Sequence, residues 1–289
     1  MQTQIACSPT RSISHLDAMR PGPNRRQRSA LERAPASEVP EELLRFACQH
    51  FGAGVTLSTS LGPQTVILID MLSRLGLHMS VFCIDTGLLF SETQALRKRL
   101  ERRYGTTIEV YTPSLSLERQ GRLYGPALWQ HEPDRCCSLR KVEPLARALA
   151  GREAWVTGLR RDSAPGRAHT QAVEWDTLNG LVKINPLVAW SRAQVDGYLH
   201  SNDVPYNELL DRGYLSVGCH PCTEPVRAGA SGTDERAGRW PGHGKSECGL
   251  HSRAVGNDRA VGNDRAVGND RAASNHVSLP TLTSSESGG

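Results

Sequence analysis

The 289 residues hold 34 Lys and Arg against 30 Asp and Glu, and residues 1–38 contribute six of the arginines but only three acids. With residues 253–289 balanced at four arginines and four acids, the middle of the chain is close to neutral, which removes electrostatic support for broad nucleic-acid binding. No window approaches the roughly 18–20 apolar residues of a membrane span, and no apolar centre of a secretory signal follows the N-terminus, so the cytoplasm is the default compartment. Eight cysteines in such a chain favour reduced thiols, metal binding or catalysis over a disulfide framework.

In chain order, residues 1–38 are rich in Pro, Arg, Ser and Gln without a sustained period and read as a disordered basic leader. From residue 39 strand and helix patterns alternate. Val55–Ser58 is a short apolar strand, followed by a Ser/Thr/Gly/Pro loop and a buried helix over Gln64–Leu75. Met79–Ile84 reads as a strand, Ser91–Tyr104 as a charged helix, Thr107–Tyr111 as a third strand and Trp155–Gly158 as a fourth. Ala172–Trp175 and Leu181–Ile184 form a hairpin pattern with Asn179-Gly180 at its turn, and Ser191–His200 is a helix opened by an N-cap serine. Repeated βα units predict an α/β fold, a mainly parallel sheet flanked by helices, with ligands beyond the carboxyl ends of the strands. Residues 39–228 are read as this domain and 229–252 as a mobile catalytic segment. The hexapeptide Arg253-Ala-Val-Gly-Asn-Asp258, present three times in tandem, opens a disordered tail over 253–289. Six residues are too few for a solenoid unit, and one Val per copy cannot offset the entropy of ordering.

The chemistry concentrates in the cysteines. Cys136 and Cys137 are adjacent, and Cys219 and Cys222 form a Cys-x-x-Cys. Neighbouring helical positions diverge by about 100°, which is awkward for a single tetrahedral zinc but suits the separate iron corners of a [4Fe-4S] cluster. Zinc, or thiols without metal, are the alternatives. Cys248 lies outside this set in Glu247-Cys248-Gly249-Leu250-His251, where Lys245, His251, Arg236 and Arg239 could promote its ionisation and make it a nucleophile. Cys7, Cys48 and Cys83 read as bystanders.

Together and in this order, Cys136-Cys137-Ser-Leu-Arg-Lys141, Gly218-Cys219-His-Pro-Cys222-Thr, Glu235-Arg-Ala-Gly-Arg-Trp240 and Lys245-Ser-Glu-Cys-Gly-Leu-His251 resemble the assimilatory adenosine 5′-phosphosulfate (APS) reductases. These form the cluster-containing branch of the APS/PAPS reductase family. Asp85-Thr-Gly87, Trp155-Val-Thr-Gly-Leu-Arg-Arg161 and Asn185-Pro-Leu support the match. The resemblance covers about residues 40–252. It implies a Rossmann-like adenine-nucleotide fold of the PP-loop type and thioredoxin-dependent reduction of APS to sulfite and AMP through an S-sulfocysteine at Cys248. It also implies one [4Fe-4S] cluster on Cys136, Cys137, Cys219 and Cys222. Substrate contacts would come from Ser58, Ser60, Lys141, Gly158, Arg161, Arg167, Arg236, Arg239 and His251. Thioredoxin would be an external partner, with neither nucleic acid nor membrane involved, and a homo-oligomer is compatible with the pattern. The cluster would order the site rather than carry electrons.

This chain departs from the family in three places. The loop Ser60-Leu-Gly62-Pro lacks the acidic residue common after that glycine, one Trp stands between Arg236 and Cys248 where relatives often carry several, and the hexapeptide repeat directly follows the catalytic segment. A 3′-phosphorylated (PAPS) reductase is the nearest rival; such relatives lack the four cluster cysteines. An ATP pyrophosphatase of the same fold would need Ser-Gly-Gly-x-Asp-Ser where this chain has Ser58-Thr-Ser-Leu-Gly62.

Overall fold

The computed structural model describes residues 22–226 and 234–251. The hexapeptide tract and tail expected to be unstructured, and the first 21 residues of the leader, lie outside the described residues. Within the leader the expectation of disorder fails: Arg25–Glu32 forms helix α1. Asn24 and Gln27 make a reciprocal capping box, each side chain bonding the other's backbone N–H. Ala30 is fully buried, and the Gln27 side chain donates to the Glu153 carbonyl at 3.0 Å. One buried face and a satisfied N-terminus order a segment whose arginines make it look solvated.

Helix α2 (Pro40–Phe51) starts with proline in its first turn and buries Leu43, Leu44, Ala47 and Phe51. Strand β1 (Val55–Thr59), helix α3 (Pro63–Arg74), strand β2 (Ser80–Ile84), helix α4 (Ser91–Tyr104) and strand β3 (Ile108–Tyr111) then build two βα steps outward from β1. Helices α5 (Leu117–Tyr124), α6 (Leu128–His131) and α7 (Pro133–Cys137) lead into a π-helical turn over Ser138–Val142 and helix α8 (Glu143–Ala148). Strand β4 (Ala154–Val156), the hairpin β5 (Val173–Asp176) and β6 (Leu181–Ile184), and helix α9 (Arg192–Ser201) complete the body.

The six strands lie in the order β3-β2-β1-β4-β6-β5. Every pairing is parallel except β5 with β6. The expected α/β architecture is therefore present, with element ends shifted by one or two residues. Leu181–Ile184 falls where the pattern put it. Gly180, at a positive φ of 67°, donates to the Asp176 carbonyl at 2.8 Å and closes the hairpin turn. Ser191 caps α9 by accepting from Gln194 N–H. Helix α3 has Val66, Ile67, Leu68, Ile69, Met71 and Leu72 all buried, which explains its nearly continuous apolar sequence. Among the described residues no helix is long and apolar enough to cross a membrane.

Candidate active site

Strand order reverses its direction of growth between β1 and β4, and a crevice opens beyond their carboxyl ends. A cavity of about 200 Å³ lies there, lined by Ser58, Ser60 and the first turn of α3 on one side and by Thr157 and Gly158 on the other. The β1 loop is tied down locally: Thr59 Oγ1 donates to Thr65 Oγ1 at 2.8 Å and accepts from Leu61 N–H at 2.9 Å. Gly158 is required by close approach, since a Cβ there would lie 2.8 Å from Thr65 Cγ2 and 2.9 Å from Gln64 Cβ. Gly158→Ala is expected to push the first turn of α3 aside. The cost should be about 1–3 kcal/mol, in the range of other overpacked sites, read as a lower denaturant midpoint.

Across the cavity stands the thiol group. Cys137, Cys219, Cys222, Cys248 and Trp240 form one buried cluster. Cys136 is buried beside it and responds to the charges of Cys137, Cys219 and Cys222. The local sequence explains the placement. Pro133 starts α7, which ends at the cysteine pair, and the π turn that follows swings Lys141 inward, to 8% exposure. Cys219 pairs with Leu89 in an isolated bridge, its carbonyl accepts from Thr223 Oγ1 at 2.9 Å, and its sulfur meets Thr86 Oγ1 at 3.3 Å. Arg140, also buried, donates to the Thr86 carbonyl at 2.6 Å and to Gln120 at 2.9 Å, locking that support from behind. Burial, joined by repulsion between the thiolates, pushes Cys136 up to about 12 and Cys222 up to about 11. Burial raises Cys137 as well, and thiols raised in this way ionise together most readily beside a positively charged centre. Among the described residues, however, no trio of His, Cys, Asp or Glu converges as it would on one ion, and no cysteine is in a disulfide.

The segment expected to be a mobile arm is, over the described residues 234–251, folded against the body. Trp240 is 2% exposed and donates its backbone N–H to the Cys222 carbonyl at 2.9 Å. Its ring carries Arg239, Arg236, Lys245 and Lys141 at 4.8, 5.3, 5.4 and 5.7 Å from the centroid. Trp240 thus organises a cationic shell around the thiols. Cys248 lines the cavity yet is only 9% exposed, so in this arrangement the thiol faces the crevice rather than bulk solvent. Burial pushes this thiol up, but Lys141, the Leu250 backbone N–H, Arg236 and Arg239 outweigh burial and hold it below the usual cysteine value. Burial works against the Lys141 ammonium too, and negative charge at Cys219, Cys248 and Cys137 keeps it protonated.

Of the residues expected to contact substrate, Ser58, Ser60, Lys141, Gly158, Arg167, Arg236, Arg239 and His251 all line the cavity. Arg161 does not. Its guanidinium is taken by the Glu38 carboxylate and the Thr170 carbonyl on the far side of the loop. Its neighbour Arg160 turns inward instead, fully buried, and pairs with Asp162 at 3.2 Å and with Glu235 at the start of the arm. Sequence reasoning singled out the outer arginine of this pair. His251 is present in the cavity but neutral: desolvation and the positive charges of Lys183, Arg167 and Arg236 drive its pKa well down. It stacks on Trp155 at 5.4 Å between ring centroids and offers a hydrogen bond rather than a charge. Of the expected bystanders, Cys48 sits on α2, and Cys83 borders the cavity with its thiol pushed up to about 12 by burial, which makes it inert. Trp240, Glu247 and the Arg160–Glu235 pair were not singled out for the site by sequence reasoning. Only Trp240 carried a local signal, as the sole aromatic between Arg236 and Cys248.

Residues 54–225 match the phosphoadenosine phosphosulfate reductase domain. A protein of Gloeobacter violaceus named phosphoadenosine 5′-phosphosulfate reductase is 44% identical over 217 residues, 74% of this chain and 89% of that protein. A Bacillus subtilis protein named adenosine 5′-phosphosulfate reductase 2 is 42% identical over 73% of this chain and 88% of that one. The crystal structure of phosphoadenylyl-sulfate reductase from Candida auris, a phosphate complex, superposes with a TM-score of 0.56 at 31% identity, covering 76% of this chain and 100% of that chain. With the sheet order, the crevice and the thiol group in place, these similarities show that the chain belongs to the phosphoadenosine phosphosulfate reductase family.

Proposed function

We propose that this protein reduces adenosine 5′-phosphosulfate to sulfite and AMP, with Cys248 as the nucleophile and thioredoxin as the external dithiol. The observation that carries this reading is the position of Cys248. It faces the crevice that the β1 and β4 loops line, and cations hold its thiol below the usual value. The thiolate attacks the sulfur of the sulfate, the bond from sulfur to the bridging oxygen breaks, and AMP departs with that electron pair. Arg236, Arg239 and Lys141 neutralise the charge of the anhydride and of the leaving phosphate. A thioredoxin thiolate then attacks the Cys248 sulfur, and sulfite leaves with the pair from the S–S bond. The second thioredoxin thiol closes that protein's disulfide and returns Cys248 to the thiolate. The dithiol supplies both electrons.

Cys136, Cys137, Cys219 and Cys222 would hold a [4Fe-4S] cluster. Their mutual repulsion as thiolates calls for a positive centre, and a centre with separate iron corners does not require donors to converge as a single ion does. When bound, the cluster supplies order and electrostatic tuning at the wall that carries Lys141. A second reading, reduction of the 3′-phosphorylated nucleotide, draws on the name of the Gloeobacter relative. Assaying sulfite release from APS and from PAPS, each with thioredoxin, tests both. Faster turnover of APS is expected; turnover of PAPS alone would favour the second reading, and sulfite from neither would end both.

Because attack needs the thiolate, the rate should rise with pH through the lowered Cys248 pKa and level off above it. Lys141 is the first among the groups that lower it, so Lys141→Met is expected to move the rising limb to higher pH. A pH–rate profile that keeps its position in the variant would separate Lys141 from the thiol.

A further inference from the structure

Among the described residues, two donors of the cavity's cationic wall are left without an acceptor. Arg236 Nη2 and Arg239 Nε are buried without a hydrogen-bond partner in the structure, and unsatisfied buried donors call for an explanation. Of the arm's carboxylates among the described residues, Glu235 is taken by Arg160, and a second one reaches this wall. Glu247, the residue before Cys248, accepts two hydrogen bonds from Arg167, Nε at 2.8 Å and Nη2 at 3.1 Å. Its Oε2 also lies 3.4 Å from Arg236 Nη2, close enough for charge but not aligned for a hydrogen bond. Arg167 belongs to the body, in the turn Pro165–Arg167 after β4, so the two-pronged contact ties the nucleophile's immediate neighbour to the crevice floor.

We propose that Glu247 is a built-in competitor for the anion subsite: its carboxylate occupies Arg167 and Arg236 in the free protein, and a phosphate or sulfate group entering the crevice displaces it. Ligand binding thereby replaces an intramolecular tie between arm and body with one that runs through the ligand. A fork of planar guanidinium donors suits a carboxylate and a tetrahedral oxyanion alike, which makes the exchange chemically even-handed. The proposal rests on the reading that the crevice takes an anionic nucleotide, although the exchange itself requires only an oxyanion.

The test is Glu247→Gln, which keeps shape and removes charge. Affinity for AMP and for inorganic sulfate is measured by calorimetry on the anaerobically purified full chain, together with hydrogen exchange of the backbone over residues 245–251. Apparent affinity is reduced by the fraction of protein in the competent state, so a subsite free about one-tenth of the time binds about ten-fold too weakly. The variant is therefore expected to bind both anions more tightly, by up to about ten-fold, and to exchange faster in the absence of ligand. A role confined to seating the arm predicts the opposite for affinity. Unchanged or weaker binding of both anions by the variant overturns the proposal, as does unaltered exchange. Tighter sulfate binding in the variant, with AMP bound by neither protein, supports the displacement and overturns the nucleotide reading.

Discussion

Cys248→Ser protein is expected to release no sulfite from APS with thioredoxin present, a loss on the order of 10⁴-fold or more in turnover. The reason is specific to the environment of this position. Lys141, Arg236, Arg239 and the Leu250 N–H overcome burial to stabilise a thiolate. An alcohol is far less acidic than a thiol, and the same cations cannot bring a serine hydroxyl to ionisation near neutral pH. The variant loses no hydrogen bond that holds the arm, since Trp240 packing and the Arg160–Glu235, Arg167–Glu247 and Lys245–Asp134 pairs are all formed by other residues. Nucleotide affinity and iron content should therefore match the unmodified protein. The complementary measurement incubates unmodified protein with APS and no reductant, then maps the peptide carrying a sulfonate adduct. Turnover retained by the serine variant, or a sulfonate elsewhere, would remove Cys248 from the mechanism.

The second large effect is expected at Cys136. Cys136→Ser takes one thiolate from a set of four that is buried under the arm and braced by Thr86 and Arg140. Changes to groups that merely support a metal ligand lower affinity by about 10–100-fold, so removal of a ligand should exceed that range. Iron and acid-labile sulfide should fall together in protein purified without oxygen, with loss of visible absorbance. Stability should fall as well, because binding free energy at a site absent from the unfolded chain is folding free energy. A variant with full iron and an unchanged denaturation midpoint would show that Cys136 is not a ligand. Zinc without sulfide in the unmodified protein would instead favour the single-ion reading.

Elements were legible where their signals are local. The short strand run Leu181–Ile184, the Asn179-Gly180 turn and the Ser191 cap each operate within a few residues, and each is found in place. The adjacent and Cys-x-x-Cys pairs are likewise visible in the sequence, and the structure buries all four of these cysteines. Helix α1 was missed although its Asn24–Gln27 capping box is equally local, because composition outweighed it. Its burial against Glu153 and the hairpin depends on residues more than a hundred positions away.

By itself the sequence determined the α/β alternation and the family to which the cysteine motifs belong. Tertiary structure decided where neighbouring arginines go. Arg160 and Arg161 are adjacent and identical in type, and only the path of the loop leaving β4 buries one toward Glu235 and sends the other to Glu38. It also decided that Trp240 collects Lys141 from the π turn and three cations from the arm, and that Glu247 meets Arg167. Charges and rings interact through space over a few ångströms whatever their separation along the chain. Which of them become neighbours is therefore set by how strands and arm come together, and a one-dimensional pattern does not contain it.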